Sequence, residues 1–320
     1  MTASMRNYEP EHDFVRVRDF LVETYATFPL PYNWGLERWN YARYFVAPML
    51  GAYGTDRDAE EKGLAAIRFW EETVRLWEDE SGRIVGVTCL EHPDLTHPGF
   101  GEFFIQRHPE HVDLLGEMVS VAEALYADPE RNRVYVWTFE EDADLNAVLE
   151  ARGFARKEDS SATLLEFSLQ EIPAPNLPEG YIVRSMADEN DIERRREIFG
   201  RSFNHDDPKE WPSAFAYREL QRAPDYELAN DLVVVSPDGT YAACCIVWFD
   251  AVNRIGFLEP LGTHPDHRRK GLAEQILREG MRRLHAKGAT RMPMGGGFEP
   301  FYRAFGFEER AVERAWIKEF

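Results

Sequence analysis

Residues 264–277, HPDHRRKGLAEQIL, set three consecutive cations, Arg268, Arg269 and Lys270, and a glycine, Gly271, at the mouth of an apolar-periodic segment. The first N–H groups of a helix have no partners inside it and mark the positive end of its dipole, so such a mouth suits an anion, phosphate above all. Gly271 lets the backbone come close to a ligand, and the adjacent cations add charge-assisted hydrogen bonds where a pyrophosphate would lie. His264 and His267 form an H-x-x-H pair in the same run. With no third ligand standing out nearby they read as turn-shaping or solvent-facing residues, not as a metal site.

Such a loop needs a strand before it and a helix after it. RIGFLEPLGTH (254–264) supplies the strand. Leu272, Ala273, Ile276, Leu277, Met281 and Leu284 recur at helical spacing, and Gly288 is a natural stop. ATRMPM (289–294) is the next strand candidate. Each half of the chain reads as strand, helices, hairpin, strand, helix, strand, short helix, strand, which predicts an α/β (α+β) architecture with a mixed sheet flanked by helices.

The spacing Arg268-x-x-Gly271-x-Ala273 resembles the Arg/Gln-x-x-Gly-x-Gly/Ala signature that carries acetyl-coenzyme A in GNAT-superfamily N-acetyltransferases. FYRAFGF resembles the same family's C-terminal Tyr-x-x-x-Gly-Phe, here Tyr302, Gly306 and Phe307. The resemblance is close over 254–307 and rests on topology elsewhere. It implies that Arg268, Arg269, Lys270, Gly271, Leu272 and Ala273 hold the coenzyme pyrophosphate. Pro260 would ordinarily count against a strand, but the family's strand carries a bulge here, where proline is tolerated. The backbones of Leu261, Gly262 and Thr263 would then pair with the pantetheine amides and polarise the acetyl carbonyl. The implied reaction is direct attack of an amine on the thioester. Tyr302 falls at the family's general-acid position, against the alternative of a core tyrosine packing a short helix. Glu259 is the candidate base, placed by strand alternation on the face of Phe257 and Leu261, against the alternative of an exposed or structurally paired glutamate. The chain departs from the family at Gly295, within MGGGFEPF, where an asparagine commonly stands. A side-chain hydrogen bond to the coenzyme is therefore missing.

The chain repeats itself. MRNYEPEHDFVRVRDF (5–20) parallels VRSMADENDIERRREI (183–198), and DESGRIVGVTC (79–89) parallels SPDGTYAACCI (236–246), strand pairs around glycine turns. HPEH at 108 parallels HPDH at 264, and ARGF at 151 parallels AFGF at 304. Four matches in order make an internal duplication. Between the copies, Pro173, Pro175 and Pro178 read as a stiff linker. The expected division is a GNAT-like domain over 1–172, a linker over 173–180 and a catalytic GNAT domain over 181–320. In the first copy Val112, Asp113, Leu114 and Leu115 replace Arg268, Arg269, Lys270 and Gly271, and Leu149 replaces Tyr302. That copy reads as degenerate, without coenzyme binding or catalysis. It also carries extra residues that include PYNWGLERWNYARYF (31–45), whose six aromatics build core or a domain interface, the alternative being a pocket wall.

Net charge is −20, which argues against nonspecific nucleic-acid binding. Residues 1–170 hold 32 acids against 16 bases, and the remainder 25 against 21, so an anion belongs in the second half. The longest apolar run, Tyr241–Phe249, is too short to span a bilayer. Three cysteines, Cys89, Cys244 and Cys245, make no disulfide framework and fit a cytoplasmic setting. The expected activity is transfer of acetyl from acetyl-coenzyme A, the acyl-donor substrate, to a small-molecule primary amine, with no metal, nucleic acid or membrane and with homo-oligomers open. The alternatives are a protein or peptide acceptor, or a coenzyme A-binding sensor without chemistry.

Overall fold

A computed structural model describes residues 3–51, 53 and 58–320. The first half opens with β1 (Ala3–Asn7), α1 (Pro10–Tyr25) and α2 (Leu36–Tyr41), which runs through a π-helical turn, Ala42–Val46, into α3 (Ala47–Gly51). It continues with α4 (Ala59–Thr73), β2 (Arg75–Asp79), β3 (Ile84–Leu90), β4 (Phe103–Arg107), α5 (Leu115–Tyr126), β5 (Arg133–Phe139), α6 (Ala143–Ala151) and β6 (Ala155–Ser168). The second half consists of β7 (Ile182–Ser185), α7 (Ile192–Ser202), α8 (Ala214–Leu220), β8 (Asp231–Val235), β9 (Tyr241–Asp250), β10 (Ile255–Thr263), α9 (Leu272–Lys287), β11 (Arg291–Gly295), α10 (Glu299–Phe305) and β12 (Glu308–Glu319). The periodicity of α9 is explicit: Leu272, Ile276, Leu277, Met281 and Leu284 are buried, while Glu274–Arg278 and Glu279–Arg283 pair on its outer side. Gly288 ends it in the left-handed conformation.

One sheet has four strands, β1-β2-β3-β4, and the other eight, β5-β12-β6-β11-β10-β9-β8-β7. The larger sheet belongs to both halves. β12, the last strand of the second half, lies between β5 and β6 of the first, antiparallel to both. Reciprocally, β6 lies between β12 and β11. The two copies thus exchange their final strands, a pairing of segments some 150 residues apart that no local pattern announces. Each half also contains one opening between parallel strands. β10 and β11 pair only at Ile255–Arg291, and β4 meets β5 only through the bridge Glu102–Tyr135.

Side-chain packing seals the halves together. Phe45 sits on Tyr217 at 5.0 Å and on Phe199 at 5.3 Å, and Tyr25 meets Phe257 edge-on at 5.5 Å. Arg18 and Asn40 both donate to Asp225. The aromatic-rich insert has more than one job: Trp39 is core, Tyr41 and Phe45 are interface, and Trp34 and Tyr32 line a cavity. No helix among the described residues is long and apolar enough to cross a membrane.

Candidate active site

The loop between β10 and α9 presents its backbone. Among the described residues, the N–H groups from Arg269 to Glu274 have no acceptor, and the first bonded one beyond them is Gln275, to the Gly271 carbonyl. Gly271 has φ +75°, and a β-carbon there would enter open space. Six consecutive free donors at a helix start form an anion cradle. Leu272 turns its side chain into the core, so its N–H alone serves the loop, and Ala273 is half-buried beside it.

The cations divide their work differently from a simple ring of charge. Arg268 donates from Nη2 to the Ser202 carbonyl at 3.0 Å and to Asn204 at 2.7 Å, and from Nε to the Thr263 carbonyl at 3.3 Å. It ties the loop to the end of α7. Lys270 donates to the Tyr181 hydroxyl at 2.8 Å, and Arg269 is exposed. His264 accepts from Asp266 N–H, and His267 pairs with the Tyr181 hydroxyl. Gly262 answers to packing: a β-carbon there would stand 2.5 Å from Ser202 Cβ.

The register between β9 and β10 shifts between Leu258 and Leu261, so a bulge lies at Glu259–Pro260. This changes the expected alternation. Phe257, Leu258, Glu259 and Pro260 all line one cavity, whereas Leu261 does not, because the bulge rotates successive residues toward the same side. Protein surrounds the Glu259 carboxylate, and water reaches it through the cavity. Burial, then the nearby Glu91, pushes it up to about 7. Tyr302, on α10, packs edge-on against Phe301 and Phe307 and is nearly buried. Burial first, then Cys245 and Glu259, raises its phenol further, so it is held protonated. Among the described residues its hydroxyl makes no hydrogen bond, though it is not sealed from solvent.

The cavity, about 620 Å³, lies between the halves. Its second-half wall is Phe257–Pro260, Pro293–Gly296 and Glu313 of the exchanged strand; its first-half wall includes Trp34, Glu37, Arg38, Glu91 and Glu102. Trp34, Glu37 and Arg38 belong to the aromatic-rich stretch 31–45, whose alternative reading is a pocket wall, but that reading gives Glu37 and Arg38 no role. Glu91, Glu102 and Glu313 escape sequence reading. They come from separate segments and look locally like any other acid in an acidic chain, and the surplus of acids in residues 1–170 carries no position.

Along the corresponding opening in the first half, which shares this cavity, the chain itself takes up part of the β4 edge. Asn33 donates to the Arg107 carbonyl at 2.8 Å and accepts from its N–H at 2.9 Å, while Trp34 N–H bonds the Gln106 side chain. That part of the free edge of β4 is thereby taken. Arg107 is closed over by Asp142, at 2.6 Å, and by the ring of Tyr32. Leu114 and Leu115 are buried with their N–H groups bonded, so no cradle forms.

Residues 193–307 match the acetyltransferase (GNAT) family. No curated protein matches the chain in sequence. In fold, 99% of the chain is similar to 95% of a GCN5-related N-acetyltransferase from Sphaerobacter thermophilus, at 17% identity and TM-score 0.57. The same share is similar to 98% of a tandem GNAT protein from the clavulanic acid biosynthesis pathway, at 14% identity and TM-score 0.56. It is also similar to 80% of Saccharomyces cerevisiae N-myristoyltransferase with bound myristoyl-CoA, at 12% identity and TM-score 0.57. At these identities the likeness speaks for the fold. The chain has the fold of a tandem GNAT protein, and the part of its second half at 193–307 matches the GNAT acetyltransferase family.

Proposed function

We propose that the chain is an acetyl-coenzyme A-dependent N-acetyltransferase acting on a primary amine of a small molecule, with donor binding and catalysis in the catalytic domain at 181–320. The observation that carries this reading is the placing of a protonated, unpartnered phenol at Tyr302 and a cavity-facing carboxyl at Glu259, ringed by protein but open to water through the cavity, beside an opening between β10 and β11 and a loop of free N–H groups. The amine enters from the cavity and gives its proton to Glu259, directly or through water. Its nitrogen attacks the acetyl carbonyl, the C–N bond forms and the C–S bond breaks, and Tyr302 protonates the departing thiolate. The backbones of Leu261–Thr263 would align the pantetheine arm, and the loop from Arg268 to Ala273 would receive the pyrophosphate. The domain at 1–172, joined through 173–180, supplies the opposite wall of the acceptor cavity. Enclosure of that cavity by both halves favours a small acceptor over a protein one.

Thiol release from acetyl-coenzyme A, measured across a panel of amines, tests the activity; silence with every amine overturns it. Calorimetry is expected to find one coenzyme per chain, since Asn33 and Trp34 take the β4 edge of the first half and its loop has no cradle of free N–H groups, and two sites would overturn that assignment. Gly271→Leu forces a branched side chain into a left-handed conformation and into the space before the free N–H groups. It is expected to weaken coenzyme binding roughly ten- to a hundredfold, as loss of charged hydrogen bonds does. Arg268→Ala should weaken it less, because Arg268 acts by anchoring the loop.

A further inference from the structure

The lining of the cavity gathers several acids without salt bridges. Elsewhere most partly buried acids are paired with cations, as Glu78 is with Arg6 and Arg16, Glu123 with Arg152 and Lys318, and Glu219 with Arg43 and Arg222, while the buried Asp250 is satisfied by backbone N–H groups and Asn253. In the cavity, Arg38 is the one lysine or arginine among the described lining residues, and it donates to Glu91 through two hydrogen bonds of 3.1 and 2.7 Å. That contact holds Glu91 below the ordinary carboxylate range against the opposing push of burial. Asp142 is likewise matched by Arg107. Among the described residues Glu37, Glu102, Glu259 and Glu313 form no salt bridge, and the one cation whose charge reaches them is Arg38, already bonded to Glu91. Oε2 of Glu37 is fully buried with no hydrogen-bond partner, and Glu102 receives only a 3.3 Å contact from the Tyr135 hydroxyl.

Carboxylates drawn partly out of water without an ion-pair partner are costly, so the half-buried Glu37, Glu102 and Glu313 hold protons more tightly than usual. Burial pushes Glu37 up to about 8 and Glu102 up to about 7, and raises Glu313 as well. A bound cation would relieve that penalty. The carboxylates do not converge on a point: among the described residues, no three acidic or other ligating side chains stand close enough to hold a metal ion. They are spread over a space suited to an extended molecule. Tyr41 and Phe257 supply aromatic surface between them, which favours organic ammonium groups, while Arg38 already lies over Trp34 at 4.9 Å and Phe104 at 4.5 Å.

We propose that the acceptor is a small organic polycation with at least two ammonium groups. One is delivered to Glu259 for reaction, and the others are held by Glu37 and Glu102 of the first half and by Glu313 of the exchanged strand. The inference rests on the acetyl-transfer reading above for the role of Glu259, and on the cavity alone for cation binding. It gives the degenerate half a task, namely charge selection of the acceptor.

Two measurements separate the claims. The first is calorimetric binding of bis(trimethylammonium) alkanes of several lengths, which have no acetylatable nitrogen, against tetramethylammonium. At least one dication is expected to bind at least about tenfold tighter than the monocation. Glu37→Gln, Glu102→Gln and Glu313→Gln are each expected to weaken it by about tenfold, the lower end for a lost charged contact. The second is thiol release with 1,4-diaminobutane, a diaminocyclohexane, 1-aminobutane and 4-aminobutanoate, whose remote groups are cationic, apolar and anionic. A diamine is expected to exceed the monoamine in kcat/KM by at least about tenfold, and the amino acid to be worst, with the glutamine variants raising KM for the diamine and leaving KM for acetyl-coenzyme A unchanged. Equal kcat/KM across the series, or equal affinity for every dication and the monocation, overturns the inference and leaves the transferase reading intact. Dication binding with no thiol release from any amine supports the cation site and overturns acetyl transfer. The wild-type comparison needs no variant, so it stands even where a substitution impairs folding.

Discussion

Replacing Tyr302 with phenylalanine is expected to lower kcat by roughly a hundredfold, within the ordinary range of general-acid contributions, while coenzyme affinity stays within about twofold. The substitution keeps the ring that packs against Phe301 and Phe307 and removes a hydroxyl that has no structural partner. A purely structural tyrosine would lose little on this change. Poor leaving groups need the proton most, so thioesters of more acidic thiols should be affected less. Leu149→Phe, at the matching position in the first half, should leave chemistry alone and at most disturb the packing around a fully buried leucine. Unchanged turnover in Tyr302→Phe, with activity lost in a folded Leu149→Phe, would place the active site in the other half.

Glu259→Gln is expected to cost about a hundredfold or more in kcat/KM at pH 8 and to remove the acidic limb of its pH profile. The working form of a general base is the ionised one. With Glu259 pushed up to about 7 by burial and then by Glu91, wild-type kcat/KM should rise with pH through about 7 and level above it. A second consequence has the opposite sign. A carboxyl whose folded-state value lies above its unfolded one is protonated more readily in the folded protein, so stability is lost as pH rises from about 4.5 to about 7. Glutamine has no proton to lose, and the variant is expected to melt higher than wild type at pH 8. Activity falling while the melting temperature rises distinguishes a catalytic carboxylate from a structural one. A profile that keeps its limb, or a melting temperature that falls, removes Glu259 from the base role.

The elements closest to the chemistry were legible because their signals are local. The cations before Gly271, the heptad-like face from Leu272 to Leu284 and the stop at Gly288 lie within one stretch of chain, where helix geometry alone relates them. The duplication was legible for the same reason, since each copy repeats the same short patterns, and the loss of Gly271 and Tyr302 equivalents could be read position by position. Alternation set Glu259 with Phe257 on the cavity side but failed for Leu261, because a bulge against β9 turns Phe257–Pro260 to one side; Pro260 marked the place but not the direction. The reach of Arg268 to Ser202 and Asn204 likewise depends on how α7 ends beside the loop. Tertiary structure alone decided the rest. The exchange of β6 and β12 sets Glu313 beside Phe139, and the joining of the halves sets Glu37 and Glu102 within one cavity with Glu259. A carboxylate on an acidic chain looks the same in sequence whether it faces water beside an arginine or a cavity without one, because charge is local while its neutralisation is set by whatever distant segment folds against it.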